Sequence, residues 1–306
     1  VLKTLDILIH PFCPYTSEHL YQTVFDGKQS ILLDKWPQYQ ELLVNEEIEE
    51  SFDIMKDVVS ISSAARMKGK LKRRWPLNEA QICVKKNQKI KLESLADLLK
   101  SQLNVEKFNI IETEEESGLE QLLELKKLGL PVKATLELER KKIGPKVKQH
   151  MGKLVSMFKE TNPEEIVLAL QKNGKYDFKI DDEIISLDKE DFIVDFDANE
   201  NFAMSKRDEF VVFISTLRNK EMMAKGLVKD IARRLQTLRK EKGYNPTDVL
   251  EVASILELDE ESLEMIKERD EELAFLVRVK KVNFEESCKE YKDDDIDGLK
   301  IRISVE

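Results

Sequence analysis

SISSAARMKGKLKRRWPLNEAQICV, residues 60–84, holds the change of pattern from which the rest of this chain can be read. Ser60, Ser62, Ser63, Ala64 and Ala65 leave room for a neighbouring backbone to approach closely. Six cations then fill the nine positions from Arg66 to Arg74 without one acidic residue, and Trp75-Pro76 closes the run. Beyond Pro76, Ala80, Ile82 and Val84 alternate with polar partners, as on a half-buried strand. A helical region therefore gives way to strands near residue 78.

Upstream, a long helix is expected from about Asn45, with an apolar stripe of Ile48, Phe52, Met55 and Val59. Glu46, Glu47, Glu49 and Glu50 crowd its start and the cations its end, the favourable order for the helix dipole. Earlier still, Leu2, Leu5 and Ile9 recur at helical spacing until Pro11 and Pro14. Thr16 is the expected cap of the next helix, and Trp36-Pro37 an expected turn. The opening reads as the middle of a helix without a start methionine, as in a fragment.

Downstream, a helix is expected over 91–103 and strands near 105–111, 133–138, 175–180, 183–187 and 191–196. Helices near 145–159 and 163–172 interrupt them. The second has Asn162 as cap, Pro163 as first residue and Gly174 past its end. The last hundred residues read as strand 209–215, helix 219–242, strand 249–256, helix 260–277 and strands 280–285 and 299–305. The expected class is mixed α+β, with a helical region 1–78 and two α/β regions, 79–200 and 201–306. No solenoid period is visible.

With 306 residues, 41% hydrophobic and 36% charged, the chain is long enough for several cores under a very polar surface. No apolar run approaches the ~20 residues of a membrane span. Cys13, Cys83 and Cys288 lie far apart with no C-x-x-C pair, which suggests incidental thiols and a reducing, cytoplasmic compartment. The net charge of −10 opposes a polyanionic partner only if charges are mixed, and here they are segregated. Cations cluster near 66–74, 140–153 and 218–242, acids in 112–124 and 257–272.

Catalytic and metal-binding patterns are not found. His10, His19 and His150 are the three histidines, none beside a cysteine or carboxylate at ligand spacing. There is no phosphate-cradling glycine loop, no G-x-S-x-G and no H-E-x-x-H. Met204-Ser205-Lys206 imitates a K-M-S-K-S loop, but Ala203 and Arg207 replace its outer residues, and a strand edge is expected instead.

The basic groups point to nucleic acid. In Arg66, Lys68, Lys70, Lys72, Arg73, Arg74 and Trp75, cations suit phosphates and the indole suits an unpaired base, against the alternative of a solvated helix end. A second group (Arg140, Lys141, Lys142, Lys146, Lys148, His150, Lys153) reads more as a wet helix face. On the helix 219–242, Met223, Leu227, Ile231, Leu235 and Leu238 form a core arc, while Lys225, Lys229, Arg233 and Lys240 with Gln236 lie opposite. Like charges four apart repel, so helix stability does not explain that stripe. Arg234 falls on the apolar arc and needs a partner or a route to water.

On these residues the chain resembles a known family. LIHPFCPYTSEHLYQTVF (8–25) is similar to late helices of the anticodon-binding domain of class I synthetases for isoleucine, valine and leucine. The Trp36-Pro37 region, AARMKGKLKRRWPL and SQLNVEKF (101–108) resemble the isoleucyl enzymes. So do IGPKVKQHMGKLV (143–155) and GLVKDIARRLQTLRKEKGYNPTDVLEV (226–252). In the last, Gly226, Leu227, Arg233, Arg234, Gln236, Arg239, Lys240, Gly243 and Asp248 match, whereas Lys225, Val228 and Lys229 depart. The resemblance implies a cysteine-rich zinc module at the end of the bacterial counterpart, and its lack here points to the archaeal/eukaryotic type or to bacterial enzymes acquired from it.

The resemblance implies the C-terminal region of an isoleucyl-tRNA synthetase, which holds the anticodon side of tRNA. ATP and magnesium would belong to catalytic domains of the whole enzyme, with no catalytic residue, metal or cofactor in this stretch. The expected partner is isoleucine-acceptor tRNA, with other synthetases or the enzyme's own N-terminal domains as further partners and no membrane. Alternatives are a valyl or leucyl relative, a protein-docking tail using the acidic helix 258–276, and a free-standing RNA-binding protein.

Overall fold

The computed structural model describes residues 1–306 apart from 26–28, 42–43, 148–149, 182 and 287. It has the expected mixed α+β class and divides into two compact units, Val1–Glu49 and Glu50–Glu306.

In the first unit, α1 (Leu2–Ile9) packs on α2 (Pro14–Val24). Tyr21 is fully buried and donates its hydroxyl to Asp34 at 2.5 Å, and Lys3 reaches the same carboxylate at 2.8 Å. The expected apolar face of Leu2, Leu5 and Ile9 is instead exposed, while Asp6, Ser17 and Tyr21 turn inward. Thr16 is not the cap either: α2 starts at Pro14 behind Cys13. Trp36 and Pro37 lie outside any turn.

The second unit begins within α3 (Glu46–Lys68), whose Met55, Val58, Ile61 and Ala65 are buried. Of the expected stripe, Ile48 and Phe52 remain exposed. Next come β1 (Leu77–Val84), α4 (Lys86–Glu93), α5 (Ala96–Leu103) and β2 (Val105–Glu112). The helix expected over 91–103 is thus broken in two, with Leu92, Leu99 and Leu103 all turned to the core. An insertion follows: α6 (Gly118–Lys127), β3 (Val132–Leu138), α7 (Arg140–Val147), α8 (Met151–Glu160), α9 (Pro163–Asn173), β4 (Lys175–Ile180), β5 (Glu183–Asp188) and β6 (Phe192–Ala198). In α9, Asn162 accepts from Glu164 N–H at 3.0 Å and Gly174 ends the helix at φ +72°, as its sequence signals require.

The chain then returns through β7 (Phe202–Arg207) and β8 (Phe210–Ser215), giving one sheet of order β2-β1-β8-β7. This corrects the division expected at residue 200, because β8 hydrogen-bonds to β1 across it. Central β8 is buried at every position, so its FVVFIS carries apolar residues on both faces. Val212 and Ile214 join the core of α3 and α5, while Val211 and Phe213 join that of α6 and the insertion. The Met204–Lys206 decoy lies in edge strand β7.

The rest is α10 (Lys220–Glu241), β9 (Leu250–Leu256), α11 (Glu260–Lys267), α12 (Asp270–Val277), β10 (Val279–Asn283), β11 (Lys292–Ile296) and β12 (Leu299–Val305). Its sheet has the order β10-β9-β12-β11. That is the first sheet again. Each module runs helix, strand, two short helices, parallel strand, and a hairpin whose last strand pairs antiparallel with the first.

The likeness reaches single hydrogen bonds. Buried Arg66 donates to carbonyls six and nine residues on (Lys72, Trp75) and to Leu103 and Asn104 at the end of α5. Buried Arg239 donates to carbonyls six and nine residues on (Asn245, Asp248) and to Val277 and Arg278 at the end of α12. Asn104 and Arg278 are both left-handed, and each accepts from the first residue of its module's strand, Leu77 or Leu250, at 3.1 Å. The module is duplicated. Among the described residues no helix is long and apolar enough to cross a membrane.

Candidate nucleic-acid interface

The loop 69–76 is held from below by Arg66. Its guanidinium sits under four carbonyls with 4% of its surface exposed. Burial first, then the charges of Arg73 and Arg218, push its pKa down to about 10. Such a group is committed to closing the loop and cannot also reach a phosphate, so Arg66 is withdrawn as a contact.

From the side the loop is held by Asp230 of α10. This buried carboxylate accepts from Lys72 at 2.7 Å and from the Trp75 indole at 2.8 Å, and Arg74 lies at 3.3 Å. Burial alone would raise the Asp230 pKa. The bonds from Lys72 and Trp75, with the charges of Lys72 and Arg74, outweigh it and hold the carboxyl below its ordinary value. Lys72 also meets Asp297 at 2.5 Å. The Trp75 ring lies so close to Gly226 that a Cβ there would fall 2.3 Å from it, and Arg218 stacks on the ring at 4.9 Å. Only glycine permits that approach. Trp75 is therefore a wedge between the loop and α10, with its indole N–H used, and it too is withdrawn as a base-stacking platform.

Of the expected loop contacts, Lys68, Lys70 and Arg73 are exposed and make no ion pair among the described residues. Lys72 and Arg74 are shared with Asp230. On α10, Lys225 is paired with Glu221 at 2.7 Å and Glu106 at 3.4 Å. Lys229, Arg233 and Lys240 make no ion pair among the described residues, Lys229 half-buried and the other two exposed. At ~100° per residue, Arg233 and Lys229 lie roughly 60° and 100° round the axis from Asp230. Asp230 thus brings the loop cations beside the helix stripe, joining two groups distant in sequence.

Arg234 needs no burial: it pairs with Asp294 at 3.2 Å at the surface. The buried arginine of this helix is Arg239, and the core arc includes Met222 where Met223 was expected. The 140–153 group is largely neutralised. Lys146 bridges Asp188 and Asp191, Lys153 meets Asp181, Lys142 meets Glu190 and His150 lies 3.4 Å from Glu183. Lys148 lies outside the described residues. Sequence reasoning missed Asp230, and it named Arg239 only as a family match, without its buried role. An aspartate facing the apolar side of a long helix was the available signal for the first.

Residues 1–82 match the family model described as the anticodon-binding domain of tRNA ligase. Over nearly the whole chain, the similarity is to isoleucine–tRNA ligases: 27% identity to that of Clostridium kluyveri across 100% of the chain, and 28% to that of Pyrococcus furiosus across 93%. That of Sulfolobus acidocaldarius is 26% identical across 92%. The chain spans 28%, 25% and 26% of those relatives' lengths, respectively.

Proposed function

We propose that this chain is the tRNA-holding part of an isoleucine–tRNA ligase. It grips the anticodon side of the tRNA while parts of the ligase beyond these 306 residues activate isoleucine with ATP and magnesium. The observation that carries the reading is the match of residues 1–82 to an anticodon-binding domain. The basic surface gathered by Asp230 supports it. Lys68, Lys70, Arg73, Lys229, Arg233 and Lys240 would meet backbone phosphates, and Lys72, Arg74 and Lys225 would add charge without leaving their carboxylates. The contribution is positional, and the setting is the cytoplasm, where translation draws on charged tRNA.

Gel-shift competition tests it: labelled isoleucine-acceptor tRNA is bound by the chain and challenged with unlabelled isoleucine, valine and leucine acceptors. Preferential displacement by the isoleucine acceptor is expected. Preference for another acceptor would move the chain to a sister synthetase, and failure to shift any tRNA would end the reading. A protein-docking role for α11 and α12 has one specific support, Phe275, exposed at 83% on an acidic helix. It predicts recovery of a synthetase, without tRNA, on a Phe275-dependent column.

A further inference from the structure

Beside the second module's buried arginine lies a cavity of about 550 Å³, well inside the roughly 300–1,000 Å³ range of small-ligand sites. Tyr244, Pro246, Leu276 and Val277 form its apolar wall. Gln236, Lys240 and Arg278 add polar groups, Arg239 closes it, and no lining residue is a carboxylate. The α10 stripe of Lys229, Arg233, Gln236 and Lys240, spaced four, three and four apart, leads directly to its rim.

The duplicated fold shows which of these residues the architecture needs. Superposing the two arginine turns sets Tyr244 on Leu71, since each donates its backbone N–H to the carbonyl of its arginine. The same register sets Lys240 on Met67 and Pro246 on Arg73, and the helix-end residues Arg278 and Asn104 correspond. The first module builds the turn with leucine, methionine and asparagine at the places of Tyr244, Lys240 and Arg278. An aromatic ring and two cations are therefore not demanded by the turn. Lys240 and Arg278 make no ion pair among the described residues and are exposed, and Tyr244 is half-buried. Arg239 spends its donors on four carbonyls, but its charge faces no carboxylate within salt-bridge distance among the described residues. Asp248, the nearest acid in the turn, receives the Asn245 N–H at 2.7 Å.

We infer that this cavity takes one unpaired nucleotide of an RNA strand lying along α10. The base stacks on Tyr244 against the wall of Leu276, and the flanking phosphates meet Lys240 and Arg278. The inference rests on the tRNA-holding reading and deepens it, by naming where a splayed base goes.

The test uses the whole chain, a labelled single-stranded heptaribonucleotide, a blunt RNA duplex and AMP. Tyr244→Leu installs the first module's residue. It is expected to weaken single-strand binding about tenfold and to leave duplex binding unchanged. Equal losses for both RNAs, or none, would overturn the inference. Should Tyr244→Leu not fold, Lys240→Met with Arg278→Asn carries the test, because both sites are exposed. It should flatten the single-strand salt slope by about 1.4, and an unchanged slope overturns the site. AMP should compete only at concentrations several hundredfold above those of the oligonucleotide; competition at equal concentration would make this a free-nucleotide site and overturn the RNA assignment. If Tyr244→Leu changes nothing while tRNA still binds with steep salt dependence, only the pocket fails. If the unaltered chain binds no RNA, the underlying reading fails with it.

Discussion

The two modules of the second unit share a frame down to an arginine under four carbonyls, yet they present opposite surfaces. In the first, the turn 69–76 is docked: Trp75 is wedged against Gly226, and Lys72 and Arg74 are tied to Asp230. In the second, the turn 242–249 is open, and Tyr244 and Asn245 border a cavity without acids. One copy of the turn has become a joint and the other a surface. A run of cations marks charge but not availability; what packs against the run decides whether it can meet a partner.

That contrast can be broken at its root. Arg66→Ala and Arg239→Ala should each destabilise the fold by at least ~3 kcal/mol in urea denaturation, because each strands several buried carbonyls. Similar losses support the equivalence of the two arginines; one silent substitution would end it. Gly226→Ala should cost about 1–3 kcal/mol by forcing Trp75 aside, against the ~1 kcal/mol that alanine ordinarily gains over glycine in a helix. A stabilised variant would mean that the first turn is not docked as described.

The joint also has a pH signature. The Asp230 carboxyl is held below its ordinary pKa, so its stabilisation is fully present above the unfolded value of ~3.9 and is lost as pH falls through the lower folded value. Asp230→Asn should be less stable than the parent at neutral pH by about 2 kcal/mol, with the gap closing below pH ~4. A gap constant across that range would contradict the ion-pair account. On the open side, Lys229→Glu with Arg233→Glu should weaken tRNA binding roughly tenfold in a filter assay, while Lys153→Glu, in the neutralised group, should change it less than twofold.

Much of this was legible in the sequence, and the limits have physical causes. Asn162, Pro163 and Gly174 fixed α9 because capping is local. The FVVFIS strand was legible from its β-branched run, though its pairing with β1 was not, since pairing across a long insertion leaves no local trace. KDDDI in β11 reads as a loop by charge and becomes a strand only through β12. The duplication stayed hidden because its signature is a set of backbone carbonyls, to which sequence is nearly blind, and because the exposed residues of the two turns differ. For the candidate interface, the stripe of Lys229, Arg233 and Lys240 was visible from helical spacing. The fates of Arg66 and Trp75 were not, because a cation cluster looks the same whether or not an aspartate 158 residues away from Lys72 closes over it.

The proposed track for a phosphate backbone consists of the cations around the Asp230 joint that make no ion pair among the described residues. Its most direct test is the affinity of the unaltered chain for tRNA measured from 50 to 200 mM salt. With about six phosphate contacts, affinity should fall by roughly a thousandfold over that range. A response of less than tenfold would contradict the track.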